Sequence, residues 1–153
     1  MAELGNNVIK KHSISYELAQ RMVDAAVAKA KELGVSENVT ILDDGGNLKA
    51  FARMDGAPLP TTEMAQNKAY TALMGISTQE FFTFIKSDPS LLAGIPTLGR
   101  MAVWGGGFPI KVNGEVVGAI GLSGAPTVQN DIDCATAALA LVSDVVPSKH
   151  EAG

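Results

Sequence analysis

The stretch LKAFARMDGAP, residues 48–58, ends a strand pattern in a cation, a thioether, a carboxylate and a glycine. Strand alternation sends Arg53 and Asp55 to one face and Met54 to the other. An arginine at such a strand end can hold a carboxylate through two parallel hydrogen bonds. An aspartate two residues on can move a proton to or from the bound acid. The competing reading is that Arg53 pairs with Asp55 or with a neighbouring chain. A second strand pattern closes at Ser123-Gly124-Ala125-Pro126, just before a helical one. The backbone N–H groups that open a helix attract anions, so Ser123 and the helix start near Thr127 can stabilise developing negative charge. An ordinary cap by Thr127 or Asn130 explains the same residues. Arg53, Asp55 and Ser123 are therefore the candidate catalytic set.

Other reactive types are sparse. The histidines are His12, just before the first helical pattern, and His150, near the C-terminal end. Two histidines so far apart do not build a zinc site. The single cysteine, Cys134, excludes an internal disulfide and a cysteine metal cage. Nucleophile-elbow, zincin, C-x-x-C and phosphate-loop motifs are absent. With 12 basic against 16 acidic residues and a net charge of −4, the chain has no basic stripe for nucleic acid. No apolar run reaches the ~20 residues that span a bilayer. The first residues lack the apolar core of a secretory signal, so a cytoplasmic protein is expected. Alanine and glycine are abundant while aromatics make up 5%, a composition that lets elements, and copies of the chain, pack closely.

The elements that must position these residues follow from periodicity. Residues 16–33 place Leu18, Met22, Ala25, Ala26, Ala30 and Leu33 at helical spacing, with Ser15 as N-cap and Gly34 as stop. NVTILDDGGNLKAFARM reads as a hairpin reversing at residues 43–47. A second helix starts after Pro60, capped by Thr61 or Thr62, with Lys68 beside its apolar face. It breaks near Gly75. Ser77-Thr78-Gln79-Glu80 is a capping box opening a short third helix. Residues 86–107 show no sustained period and read as a long loop, functional or mobile. It ends in Trp104 and three glycines, of which Gly106 and Gly107 can bring backbone close to a ligand. A second hairpin turns at Asn113-Gly114. Its return strand carries Gly118, Gly121 and Gly124, spacing that suggests a closely approaching backbone or ligand. A last helix covers about 128–146, with Val146 on its stripe and Pro147 as its end. Two hairpins without strand–helix–strand alternation give an α+β fold of one domain, residues 1–153, with its core in about 15–146.

Four motifs in order, ILDDGGNLKAFARMDGA, AQNKAYTAL, GGGFPI and GEVVGAIGLSGA…QNDIDCATAAL, resemble the GlcG/HbpS-like family, which includes the C-terminal domain of PduO proteins. The resemblance covers about residues 15–146. It implies a profilin-like central antiparallel sheet of about five strands flanked by helices. It also implies homo-oligomers, from dimer to octamer, and haem as a ligand of several members. For haem, Arg53, Lys68 and Arg100 are the candidate cations for the propionates. His12, Met54 and Met101 are the candidate donors to iron, and Gly106, Gly107 and Gly124 are candidate pocket walls. Two function classes stay open. One is an oligomeric protein that binds a small ligand, haem or a related tetrapyrrole. The other is a cofactor-independent enzyme of lyase or isomerase type, with Arg53 holding an organic acid or carbonyl metabolite and Asp55 as acid/base.

Overall fold

The computed structural model describes residues 5–145. Val146, Pro147 and His150, and with them the expected end of the last helix, lie outside the described residues. Helix α1 spans Tyr16–Leu33. Strands β1, Asn38–Asp43, and β2, Leu48–Arg53, form the first hairpin. Helices α2, Pro60–Ala72, and α3, Thr78–Ile85, follow. The segment expected to be irregular holds a short helix α4, Pro89–Gly94, and a 3-10 turn, Ile95–Thr97. Asp88 caps α4 through the backbone N–H groups of Ser90 and Leu91, a local signal too short to register as a period. Strands β3, Gly107–Val112, and β4, Glu115–Ser123, lead to helix α5, Val128–Val145.

The fold is α+β. The sheet has four strands rather than the expected five, in the order β2-β1-β4-β3, with every pair antiparallel. Pro109 sits in β3, an edge strand, where its missing N–H costs no central ladder bond. Helices α1 and α5 pack together on one face. Met22, Val23, Ala26, Ala135 and Ala138 meet Val39, Ile41, Ile120 and Leu122 there. Leu33, expected on the buried stripe of α1, is exposed. Helix α2 covers the other face through Ala69 and Ala72 against Leu42 and Ala119.

Glycine decides how close α2 comes. A Cβ on Gly121 would collide with the Ala65 carbonyl and the Ala69 nitrogen of α2, and one on Gly107 with the Lys68 carbonyl. Of the glycines on the return strand, Gly121 thus marks the approach of a helix backbone, while a Cβ on Gly118 would meet the Leu42 carbonyl of β1. The α2 threonines are not caps. Pro60 takes the first helical position and Leu59 the cap, without a side-chain bond. Thr61 Oγ1 instead accepts from Asn38 Nδ2 at 2.8 Å, and Thr62 Oγ1 donates to Asn38 Oδ1 at 2.9 Å.

The local signals with a defined hydrogen-bond pattern form as read. Ser15 caps α1, and Gly34 ends it at φ 72°. Asn113 and Gly114, at φ 52° and 79°, make the β3–β4 turn. Ser77 Oγ accepts from Glu80 N at 3.1 Å, and Ser77 N donates to Glu80 Oε2 at 2.8 Å. Ser77→Ala is expected to lower global stability by about 1 kcal/mol, measured by urea denaturation. An unchanged midpoint would show that packing alone holds α3.

Candidate functional site

Register aligns three strand ends. Asn38 opens β1 and pairs with Arg53, the last residue of β2, and with Ser123, the last of β4. Arg53, Asp55 and Ser123 are therefore brought to the same end of the sheet. Arg53 and Asp55 are exposed and line an open depression of about 360 Å³ with Val27, Lys31, Ala52 and Met54. The head groups of Lys31, Arg53 and Asp55 make no hydrogen bond or ion pair among the described residues. Met54 does not turn away from this depression. Its sulfur accepts from Glu37 N at 3.4 Å while its stem packs on the core. The thioether is thus held by backbone, which corrects its reading as a free donor to iron. Ser123 is buried at 3% exposure and is no open hydroxyl for a ligand in this depression. The start of α5 is also taken. Thr127 Oγ1 accepts from Asn130 N at 3.1 Å, the ordinary cap.

Beneath this end lies a polar cluster inside the core. Lys68, on α2, reaches past the sheet to α5. Its Nζ donates to Asp131 Oδ2 at 2.9 Å and to the Leu122 carbonyl at 2.7 Å. Lys68 is fully buried and Asp131 is 4% exposed. Burial pushes the lysine's pKa down, and the Asp131 charge and hydrogen bond pull it back. This corrects the reading of Lys68 as a cation for a propionate, because its charge is already matched inside the protein. Gly106 makes room for the crossing: at φ 118°, a Cβ there would lie 3.0 Å from Lys68 Nζ and 3.1 Å from Asp131 Cβ. Gly124, at φ 136°, lies so close to the chain at Ser36 that a Cβ would sit 2.9 Å from its carbonyl. Gly106, Gly107 and Gly124 therefore admit protein, not ligand, to their surroundings.

Glu37 joins the cluster. It is fully buried, one residue before β1. Burial first, then the hydrogen bond and charge of Asp131, push its carboxyl up to about 9. The Cys134 thiol is pushed up to about 12, first by burial, then by Glu37 and Asp131, so it stays a thiol and is no nucleophile at neutral pH. Sequence patterns do not single out Glu37. Its only signal is a carboxylate just ahead of a strand pattern, a position that surface residues also occupy.

His12 sits at the opposite end. The segment before α1 runs along the start of β4, with Ile14 N donating to the Val117 carbonyl at 2.9 Å. His12 N donates to Glu115 Oε1 at 3.1 Å, and His12 Nδ1 lies 2.7 Å from Glu115 Oε2. The two His12 hydrogen bonds, side chain first, hold the Glu115 carboxyl below its usual range. The His12 side chain is 81% exposed, and Nε2 has no partner among the described residues. Glu115 and Ser123 are the two ends of the nine-residue β4, roughly 26 Å apart at strand rise. His12 and Arg53 of one chain therefore cannot hold the same small ligand. Arg100 is elsewhere again, its guanidinium 3.9 Å above the Tyr70 ring. Met101 lines an apolar cleft of about 180 Å³ with Phe82, Leu92, Ile95 and Trp104. Among the described residues no group of three or more His, Cys, Asp or Glu could hold a metal ion, and no helix is long and apolar enough to cross a membrane.

Residues 14–140 match the family described as haem degrading protein HbpS-like. A Citrobacter freundii relative, the 15.0 kDa protein of the dhaT–dhaS intergenic region, is 35% identical over 135 residues, covering 87% of this chain and 94% of its own. The solved PduOC:haem complex is similar at a TM-score of 0.78 and 31% identity, over 84% of this chain and 94% of that one. A solved double mutant of Streptomyces reticuli HbpS gives a TM-score of 0.80 at 27% identity, over 88% of this chain and 90% of that one. On the extent of the family match and the identity to these relatives, the chain belongs to the HbpS-like family.

Proposed function

We propose that the protein binds haem, with His12 Nε2 as the ligand to iron. The observation that carries this reading is the His12–Glu115 contact of 2.7 Å at Nδ1, which leaves Nε2 free and solvent-facing. A carboxylate on one imidazole nitrogen fixes the tautomer and raises the basicity of the other, the arrangement common behind metal-bound histidines. Flanking residues suit the rest of the ligand. Val8 and Ile9 are 68% and 80% exposed, an apolar strip for a tetrapyrrole face. Lys10 and Lys11 are exposed cations beside His12, suited to the propionates that Lys68 cannot reach. The bound haem would supply redox chemistry at iron. This chain's residues bind and orient it, and Glu115 holds the imidazole proton at Nδ1. A ring this exposed on one chain leaves a haem half in water, which favours homo-oligomers, dimer to octamer, that cover it with a second copy. Likeness to a domain solved with haem supports the same reading.

Haemin titration followed in the Soret region tests this. Wild type is expected to saturate near one haem per chain. His12→Ala should abolish the ligand-shifted band, and Glu115→Gln should weaken affinity by about 10–100-fold. A titration identical in wild type and His12→Ala would overturn the assignment. A second reading keeps the Arg53 depression as a carboxylate site. Two cations without partners among the described residues, Lys31 and Arg53, stand there with Val27 and Ala52, and Asp55 lines the same depression as the acid/base of that reading.

A further inference from the structure

Glu37 Oε1 and Oε2 and Asp131 Oδ1 are buried oxygens with no hydrogen-bond donor among the described residues when both carboxyls are ionised. The two carboxyl groups are neighbours, and the one ammonium among the described residues that faces them, Lys68, already directs its bonds to Asp131 Oδ2 and Leu122 O. Two negative charges against one positive, all desolvated, is an arrangement that proteins avoid by binding a proton. We infer that Glu37 carries a proton in the folded protein and donates it to the free oxygen of Asp131. One proton in the dry interior then closes the junction of β1, α2 and α5. It turns an unsatisfied pair of acceptors into a donor and an acceptor, and leaves the cluster with no net charge: GluH, Asp⁻, Lys⁺.

Among the described residues, the groups facing Glu37 are few. From α2 comes Lys68, and from α5 come Asp131 and the Cys134 thiol. From the loop after β4 comes the Ala125 backbone N–H, which faces Glu37 without completing a hydrogen bond. From the turn after β2, Met54 Sδ meets the Glu37 backbone nitrogen. The arrangement acts as a latch sensitive to alkali. Removing the proton restores two buried carboxylates beside one lysine and drives the start of α5 away from the sheet.

The linkage has a definite sign. Glu37's carboxyl is raised in the folded state from 4.5 to about 9, so between these values the folded chain binds more protons than the unfolded one. Stability from Glu37 is full below the unfolded value and is lost as pH rises through this window. Lys68 is shifted down from 10.5 and contributes with the opposite sign at the alkaline end. The informative quantity is therefore the difference between wild type and Glu37→Gln, whose carboxamide keeps a donor but cannot ionise.

Carbon-13 NMR of the full chain, with glutamate carboxyls labelled and the Glu37 signal assigned by its loss in Glu37→Gln, reads the proton directly. The Glu37 carboxyl carbon is expected to stay at its protonated position through neutral pH. In parallel, the Tm of wild type should fall relative to that of Glu37→Gln as pH rises from 4.5 to about 9. A Glu37 carbon that titrates near pH 4.5 would overturn the inference. That outcome is readable even if Glu37→Gln fails to fold, because all the glutamate signals of wild type would then titrate in the ordinary range. Equal pH slopes in the two proteins would overturn it as well.

Discussion

Lys68→Ala is expected to destabilise the protein by about 3–5 kcal/mol, the cost of leaving a buried carboxylate without its partner. Asp131 loses the 2.9 Å bond to Nζ, and the Leu122 carbonyl loses its 2.7 Å donor. Little solvent reaches either group to compensate, since Leu122 is fully buried and Asp131 is nearly so. The pair itself need not be net stabilising. Replacing all three members of the cluster with apolar residues of similar volume, Lys68→Met with Asp131→Leu and Glu37→Met, should recover most of the loss, because removing the pair alone would strand the buried Glu37 carboxyl. Equilibrium urea unfolding of the single and triple variants distinguishes the cases. A loss under about 1 kcal/mol for Lys68→Ala, the scale of an exposed pair, would mean that the interior relaxes to admit water.

Gly121→Ala should be nearly as damaging, although it adds one methyl group. That methyl would run into the backbone of α2 at Ala65 and Ala69. A flexible side chain can step aside, but a helix backbone cannot, so α2 must lift from the sheet. Overpacking of this kind costs about 1–3 kcal/mol, and backbone contact places the expectation at the upper end. Gly114→Ala is the control. It meets nothing within 4 Å and carries only the strain of φ 79°, about 1–2 kcal/mol. Similar denaturation midpoints for the two variants would show that α2 is not pinned by Gly121.

Much of the fold is legible in the sequence because its signals are local. Ser15, Gly34, the Ser77–Glu80 box and Asn113-Gly114 each carry a hydrogen-bond pattern within a few residues. Gly121 signals a close approach but not that α2 makes it, because that contact spans the chain from Ala65 to Gly121. The strand number shows the same divide: hairpin patterns supply the four strands of the sheet, and the fifth came only with the family resemblance. The site is less legible. Arg53, Asp55 and Ser123 do gather at one sheet end, yet burial removes Ser123 from any ligand in the Arg53 depression. Helical spacing puts Lys68 beside an apolar face, where a lysine ordinarily sends its charge to water. Only tertiary structure shows its head group paired across the sheet. Glu37 leaves no trace in the pattern because a lone carboxylate before a strand looks the same whether it meets water or another acid. His12 is legible as a residue type, but Glu115, more than 100 positions away, gives it direction.

The nine-residue length of β4, with His12 moored at one end and Arg53 aligned with the other, has a consequence for divergence. The two ends share a scaffold but no side chains. Changes that retune one are mechanically invisible to the other, so long as the alanine and glycine contacts of the middle hold. A lineage can lose, exchange or sharpen the chemistry at either end without renegotiating the architecture, which makes the sheet a spacer between two independently evolvable surfaces.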